Sequence, residues 1–160
     1  MKNDDLSPTR RLEELGLVLP PLRQPIANFL PFKRHGSLLF LSGQGPVTAG
    51  GIRHCGTVGN DVGVEDAYNH ARLATLNLLA AAHAALGSID RIAEIVKVLG
   101  LVNAAPDFKD HPAVINGCSD LLISVFGQER GTHARSAVGV SSLPSHITVE
   151  LEMIVSITVD

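Results

Sequence analysis

Residues 146–159 carry the strongest constraint on the fold. Ile147, Val149, Leu151, Met153, Val155, Ile157 and Val159 alternate with Thr148, Glu150, Glu152, Ile154, Ser156 and Thr158. Period two is the signature of an extended strand whose successive side chains point to opposite faces. Residues 146–159 therefore predict a long strand with one face covered and the other partly polar. Residues 134–141 read as a preceding strand and Leu143-Pro144-Ser145 as a turn, so the two strands are expected to pair as a hairpin. In that pairing Val138 and Val140 join the covered face. Arg135, Ala137, Gly139 and Ser141 then share the open face with Glu150 and Glu152.

The cover for such a sheet is supplied by two helical stretches. Residues 64–86 begin with Glu65 and Asp66, favourable at the positive end of a helix, and stop at Gly87, a residue suited to a left-handed cap. Ala67, Ala71, Ala74, Leu78 and Ala82 make one face, while Leu73, Leu76 and Leu79 lie elsewhere. A helix apolar on most sides is covered on most sides, by another subunit or by more of its own chain. A second helix follows Pro112, with Val114, Cys118, Leu121, Leu122 and Val125 as its core stripe and Gly127 at its end. Residues 38–41 and 95–102 read as buried strands. Residues 48–63 are a glycine-rich loop with a small hairpin near Ile52, and a short helix over 8–15 ends at Gly16. The prolines of residues 1–25 make that segment an extension ahead of one domain over 26–160. The expected fold class is α+β, one mixed sheet with two helices packed on one face.

Composition narrows the function. Aromatic residues are 4% of the 160 and Trp is absent, so the interior is built from small aliphatic side chains. The net charge of −3 and the few aromatics supply neither a basic phosphate-tracking groove nor stacking platforms, so nucleic acid is not expected as a partner. The polar, acidic start resembles no signal or transit peptide, and the most apolar window, 73–86, falls short of the ~20 residues of a bilayer span. A cytoplasmic location with both Cys55 and Cys118 reduced is expected. Nucleotide-binding, zinc-protease and serine-hydrolase motifs are missing. His54-Cys55 is too closely spaced to chelate well, so neither metal nor cofactor is expected. Of the seven histidines, His133 stands out because it lies two residues before Arg135.

Arg135 is the most suggestive side chain. A guanidinium beside Ala137 and Gly139 has open space in front of it, which suits bidentate docking of a small carboxylate. A salt bridge to Glu150 or Glu152 across the hairpin fits the same placement equally well.

The run His133-Ala134-Arg135-Ser136-Ala137-Val138-Gly139-Val140-Ser141-Ser142-Leu143-Pro144, followed by Val149-Glu150-Leu151-Glu152, resembles the C-terminal signature of the RidA/YjgF family. These are enamine/imine deaminases, often labelled endoribonuclease L-PSP. Leu41-Ser42-Gly43-Gln44-Gly45-Pro46 is similar to a second family motif, and Val114-Ile115-Asn116-Gly117 fits its second helix. The long N-terminal segment is most similar to the longer branch of the family. The resemblance implies a chorismate-mutase-like fold, a homotrimer and sites in clefts between subunits. It implies that Arg135 binds the substrate carboxylate, that Ala137 contributes backbone contacts, and that Glu150 places or activates water. Phe29, Gly43 and Asn116 complete the implied binding site. The implied reaction hydrolyses 2-imino or enamine acids such as 2-aminoacrylate to 2-oxo acids and ammonia. The alternatives are a non-catalytic binder or sensor of small carboxylates, and a 2-aminomuconate-type deaminase. Ala137 stands where the best-known members carry cysteine, and Phe29 where they carry tyrosine. A side-chain contact at 137 and any step needing a phenolic hydroxyl are thereby removed.

Overall fold

The structure is a computed structural model that describes residues 6–25 and 27–158. Its elements run α1 (Pro8–Glu14), β1 (Phe32–His35), β2 (Leu38–Gln44), α2 (Val64–Leu86), β3 (Ile92–Asn103), α3 (His111–Gly131), β4 (Ala134–Val140) and β5 (Val149–Ile157). The strands form one mixed five-stranded sheet in the order β1-β2-β5-β3-β4. Only the β3–β4 pair is parallel. The α+β class expected from the sequence is the one observed.

The alternating strand became the centre of the sheet. In β5, Val149, Leu151, Met153, Val155 and Ile157 are buried against the helices, while Glu150, Glu152, Ile154 and Ser156 face the other way. Val159, expected at its end, lies outside the described residues.

Two readings of β4 are corrected. β4 and β5 form no hairpin, because β3 lies between them and β4 is the sheet's edge. The register Val98↔Arg135, Gly100↔Ala137, Val102↔Gly139 then sets the faces. Val98, Gly100 and Val102 are buried under the helices, so Arg135, Ala137 and Gly139 share the covered face. Val138 turns to the open face at 44% exposure. The hydrophobic pattern misled because α3 meets β4 with polar and small residues, not with an aliphatic stripe.

The helices cover one face of the sheet, with α2 and α3 side by side. Ala67, Ala71, Ala74, Leu78, Leu79 and Ala82 are fully buried, so the chain itself covers much of α2. Gly87 ends α2 in the left-handed conformation at φ 81°. Gly127 (φ 79°), expected to end α3, only interrupts it, because another turn resumes through Gly131. The loop hairpin is a single bridge, Val47↔Arg53. The strand β1 escaped the sequence reading; a turn at Gly36 (φ 60°) folds it onto β2. Helix α1, capped by the Ser7 hydroxyl and followed by Gly16 (φ 67°), buries Leu12 against the common core, where Leu17, Leu19 and Leu22 also pack.

The seam between α2 and α3 closes at Gly117. A Cβ there would run into the Tyr68 carbonyl of α2 and reach 3.3 Å from the Arg72 amide. Both obstacles are backbone, which cannot swing aside. Gly117→Ala is expected to gain about 1 kcal/mol of helix propensity and lose more to overpacking, about 1–3 kcal/mol. A lowered urea midpoint with unchanged slope is the expected result; an unchanged or raised midpoint would show that the seam can open.

Candidate active site

Two clusters hold the residues singled out by the sequence. The first lies between β4 and α3. Arg135 donates from Nη1 to Asn116 Oδ1 at 2.8 Å and to Ser119 Oγ at 3.1 Å. Asn116 and Ser119 are three residues apart on α3 and so face the same way. Ser119 Oγ is also 2.9 Å from His133 Nε2, and His133 Nδ1 is 2.7 Å from the Gly131 carbonyl. A carbonyl only accepts, so Nδ1 carries the proton and Nε2 accepts from the serine hydroxyl. The chain of bonds thus runs from the guanidinium to the Ser119 oxygen, and from the Ser119 hydroxyl to a neutral imidazole. Burial lowers the His133 pKa, the Gly131 hydrogen bond raises it in part, and the nearby Arg135 charge lowers it further.

Every hydrogen-bond acceptor of Arg135 identified in this cluster is neutral. The one salt bridge among the described residues joins Arg10 to Glu13, so Arg135 forms no ion pair there with Glu150 or Glu152. The salt-bridge alternative of the sequence reading does not hold in the chain. A half-buried guanidinium held by an amide and a hydroxyl keeps its charge available to an incoming anion. Ala137 and Gly139 follow it along the same face of β4.

The second cluster lies on the open face. Glu150, half-buried, covers Gly43; a Cβ at position 43 would meet its carboxylate. Phe29, Gly43, Arg53, Glu150 and Glu152 are among the residues lining a cavity of about 590 Å³. Burial raises the Glu150 pKa, and the Glu152 charge two residues along the same face raises it further. The structure therefore brings Arg135, Asn116 and Ala137 together, and separately Phe29, Gly43 and Glu150. The expected placement of Arg135 and Glu150 on one surface is corrected: they lie on opposite faces of the sheet. Ser119 and Arg53 were missed. The i,i+3 spacing of Asn116 and Ser119 was a signal for the first, and none was visible for Arg53.

Elsewhere, His54 stacks on His70 with centroids 4.3 Å apart, and the exposed Cys55 thiol donates to the Ser145 carbonyl at 3.3 Å. Among the described residues no three His, Cys, Asp or Glu side chains converge as a metal site, and no helix is long and apolar enough to cross a membrane.

With this geometry in place, residues 9–152 match the family described as "YjgF/chorismate mutase-like, putative endoribonuclease". The chain belongs to the YjgF family. Among its relatives, Protein TCP17 of Trypanosoma cruzi is 38% identical over 146 residues, 91% of each chain. The structure of the protein Atu1372 from Agrobacterium tumefaciens is 43% identical, with a TM-score of 0.87 over 96% of this chain and 93% of that one. A "putative endoribonuclease" from Shewanella oneidensis is 33% identical, with a TM-score of 0.91 over 95% of this chain and 100% of that one. The family's chorismate-mutase-like sandwich is the fold seen here, as the C-terminal signature implied.

The neutral state of His133 has a measurable consequence for this YjgF family member. Its folded pKa lies below the ordinary histidine value of about 6.5. The associated stability is present above that value and is lost as pH falls through the lowered pKa. The melting temperature is expected to drop between pH 7 and pH 5, and to drop less in His133→Gln. Equal drops in the two proteins would remove His133 from the acid response. His70, also lowered by burial, acts in the same direction.

Proposed function

We propose that this protein hydrolyses 2-imino and enamine acids to 2-oxo acids and ammonia, with Arg135 holding the carboxylate and Glu150 serving the water. The observation that carries this reading is the guanidinium held by neutral acceptors, Asn116 and Ser119, with no carboxylate beside it. A charge-assisted hydrogen bond to a substrate carboxylate contributes about 1.5–3 kcal/mol, and its fixed geometry presents the imine carbon in one orientation.

The imine carbon is already electrophilic, so the reaction asks mainly for a positioned water. Glu150 takes a proton as the water oxygen bonds to that carbon and the C=N π pair moves to nitrogen, which gains a proton. The resulting carbinolamine collapses as its hydroxyl proton is passed to the amine nitrogen, the oxygen lone pair forms the C=O bond, the C–N bond breaks and ammonia departs. The sum is imine plus water giving carbonyl plus ammonia. A glutamate whose pKa is raised by burial is closer to the pH at which it must both take and return a proton.

Arg135 and Glu150 face opposite sides of the sheet, so one site uses the Arg135 cluster of one subunit and the Glu150 cavity of another. The open sheet face, with Phe40 at 40% and Val138 at 44% exposure, is suited to such packing, and a cytoplasmic homotrimer is the assembly this reading adopts. A second reading, binding without turnover, is favoured by Ala137 and Phe29, which offer neither thiol nor hydroxyl. A 2-aminomuconate-type substrate would place its second carboxylate at Arg53. Ribonuclease chemistry is disfavoured by the charge balance and scarcity of aromatics.

Ammonia release from imines generated in situ by an amino-acid oxidase tests the proposal. Arg135→Ala is expected to lower kcat/KM about a hundredfold, the equivalent of about 3 kcal/mol. Indistinguishable wild type and variant would end the assignment. Glu150→Gln is expected to lower kcat by about 10²–10⁴-fold. It should also abolish a rising limb in the pH profile whose midpoint lies above the ordinary glutamate value of about 4.3. Arg135-dependent binding of 2-oxo acids without turnover would establish the second reading instead.

A further inference from the structure

His133 sits in the link between α3 and β4, half-buried and two residues ahead of Arg135. The turn that resumes after Gly127 runs through Gly131, which is pressed on the backbone of its own helix. A Cβ there would lie 2.7 Å from both the Leu122 carbonyl oxygen and Ile123 Cα. The Gly131 carbonyl is therefore a fixed acceptor, and at 2.7 Å it takes the Nδ1 hydrogen of His133. That bond decides the tautomer. Nε2 is left with a lone pair directed at Ser119 Oγ, 2.9 Å away.

The serine hydroxyl has one hydrogen, and it goes to Nε2. Its oxygen therefore meets Arg135 with lone pairs only, and accepts from Nη1 at 3.1 Å. A Ser119 hydrogen left free to rotate would at times point at the guanidinium and repel it. Asn116 Oδ1 takes a second bond from Nη1 at 2.8 Å. A guanidinium Nη carries two hydrogens, so both on Nη1 are spent. No hydrogen bond joins Nε or Nη2 to any of the described residues. Those two nitrogens share the edge of the fork that a carboxylate takes with two parallel bonds. Of the two ties on Nη1, the one to Asn116 is exposed and the one to Ser119 is part-buried. A hydrogen bond away from water is electrostatically the stronger.

We propose that His133 is a positioning residue: by orienting the Ser119 hydroxyl, it holds the Arg135 guanidinium with its Nε–Nη2 edge free for the substrate carboxylate. The inference rests on the proposed carboxylate site and adds to it a side chain that acts only through Ser119. Two amide substitutions separate this role from a merely structural one in the link between α3 and β4. His133→Gln carries an oxygen near the place of Nε2, so it keeps an acceptor for Ser119 and gives up the bond to Gly131. His133→Asn does the reverse, because its shorter amide reaches only the place of Nδ1.

Ammonia release from the alanine imine, made in situ by an amino-acid oxidase, is measured for both variants and for Ser119→Ala. His133→Asn and Ser119→Ala are expected to raise KM about fivefold, the scale of one net hydrogen bond. Their kcat should be unchanged, because the carboxylate is held alike in the ground and transition states. His133→Gln should match the wild type. The double variant His133→Asn/Ser119→Ala should be no worse than either single change, since both remove the same tie. Equal effects of the Gln and Asn substitutions, additive effects in the double variant, or a loss confined to kcat would overturn the inference. If His133→Asn does not fold, His133→Leu, which keeps neither bond, replaces it and should match Ser119→Ala. A wild type that turns over no imine ends the deaminase reading, and the nitrogen NMR spectrum of the guanidinium then decides the role of His133 alone. The two Nη1 hydrogens of Arg135 are expected to give separate signals in the wild type and His133→Gln, and to merge by rotation in His133→Asn and Ser119→Ala. The same spectrum in all four proteins would overturn it.

Discussion

Two parallel neighbouring strands cannot be joined by a tight turn. The connection from β3 to β4 therefore has to leave the sheet, cross it and return, and α3 is that crossing. Its consequences reach every residue of interest. It places β4 at the sheet edge, outside β3, and leaves β5 to fill the centre beside β2. It also lays Asn116 and Ser119 directly over Arg135. A hairpin between β4 and β5 would have put Arg135 against Glu150, and the two charges would have neutralised each other. The crossover keeps them apart.

That separation sets the electrostatic state of both clusters. Arg135 is satisfied by groups that bond it without cancelling its charge, and the neutral His133 completes the chain behind Ser119. Glu150, with no cation bonded to it among the described residues, has its pKa raised by burial and by Glu152 beside it. Each half is thus left with an unmet demand: an anion for the guanidinium, a proton or a cation for the carboxylate. Within one chain these demands are not met by each other, which supports the proposal of a site shared between copies.

Much of this was legible beforehand, and the failures have a common cause. The helices, the glycine that ends α2 and the faces of β5 were legible locally, because there one whole face meets an aliphatic core. β4 was read with the wrong parity because its covered face carries Arg135, Ala137 and Gly139 while valines occupy the other side. Pattern equates apolar with covered, and β4 is the strand where polar groups of α3 do the covering. β1 was lost for a related reason: Lys33, Arg34 and His35 are exposed at the opposite edge. The signature motif named Arg135, Asn116, Gly43 and Glu150, but pairing decided which of them meet. No periodicity reports that a crossover has slipped between two consecutive strands.

The seam at Gly117 also bears on the proposed carboxylate site. Asn116 is its chain neighbour, so the acceptor that steadies the guanidinium and the glycine pressed on the Tyr68 carbonyl belong to the same turn of α3. One side of that turn is fixed by backbone packed on backbone, and the other presents the amide to Arg135. Displacing the turn by an ångström would rotate the amide away from the arginine, and misplacements of that size cost catalysts about a hundredfold. The position of the amide that holds Arg135 is thereby borrowed from the hydrophobic interior, and the tolerance of α3 to substitution is set in part by a hydrogen bond on its far side.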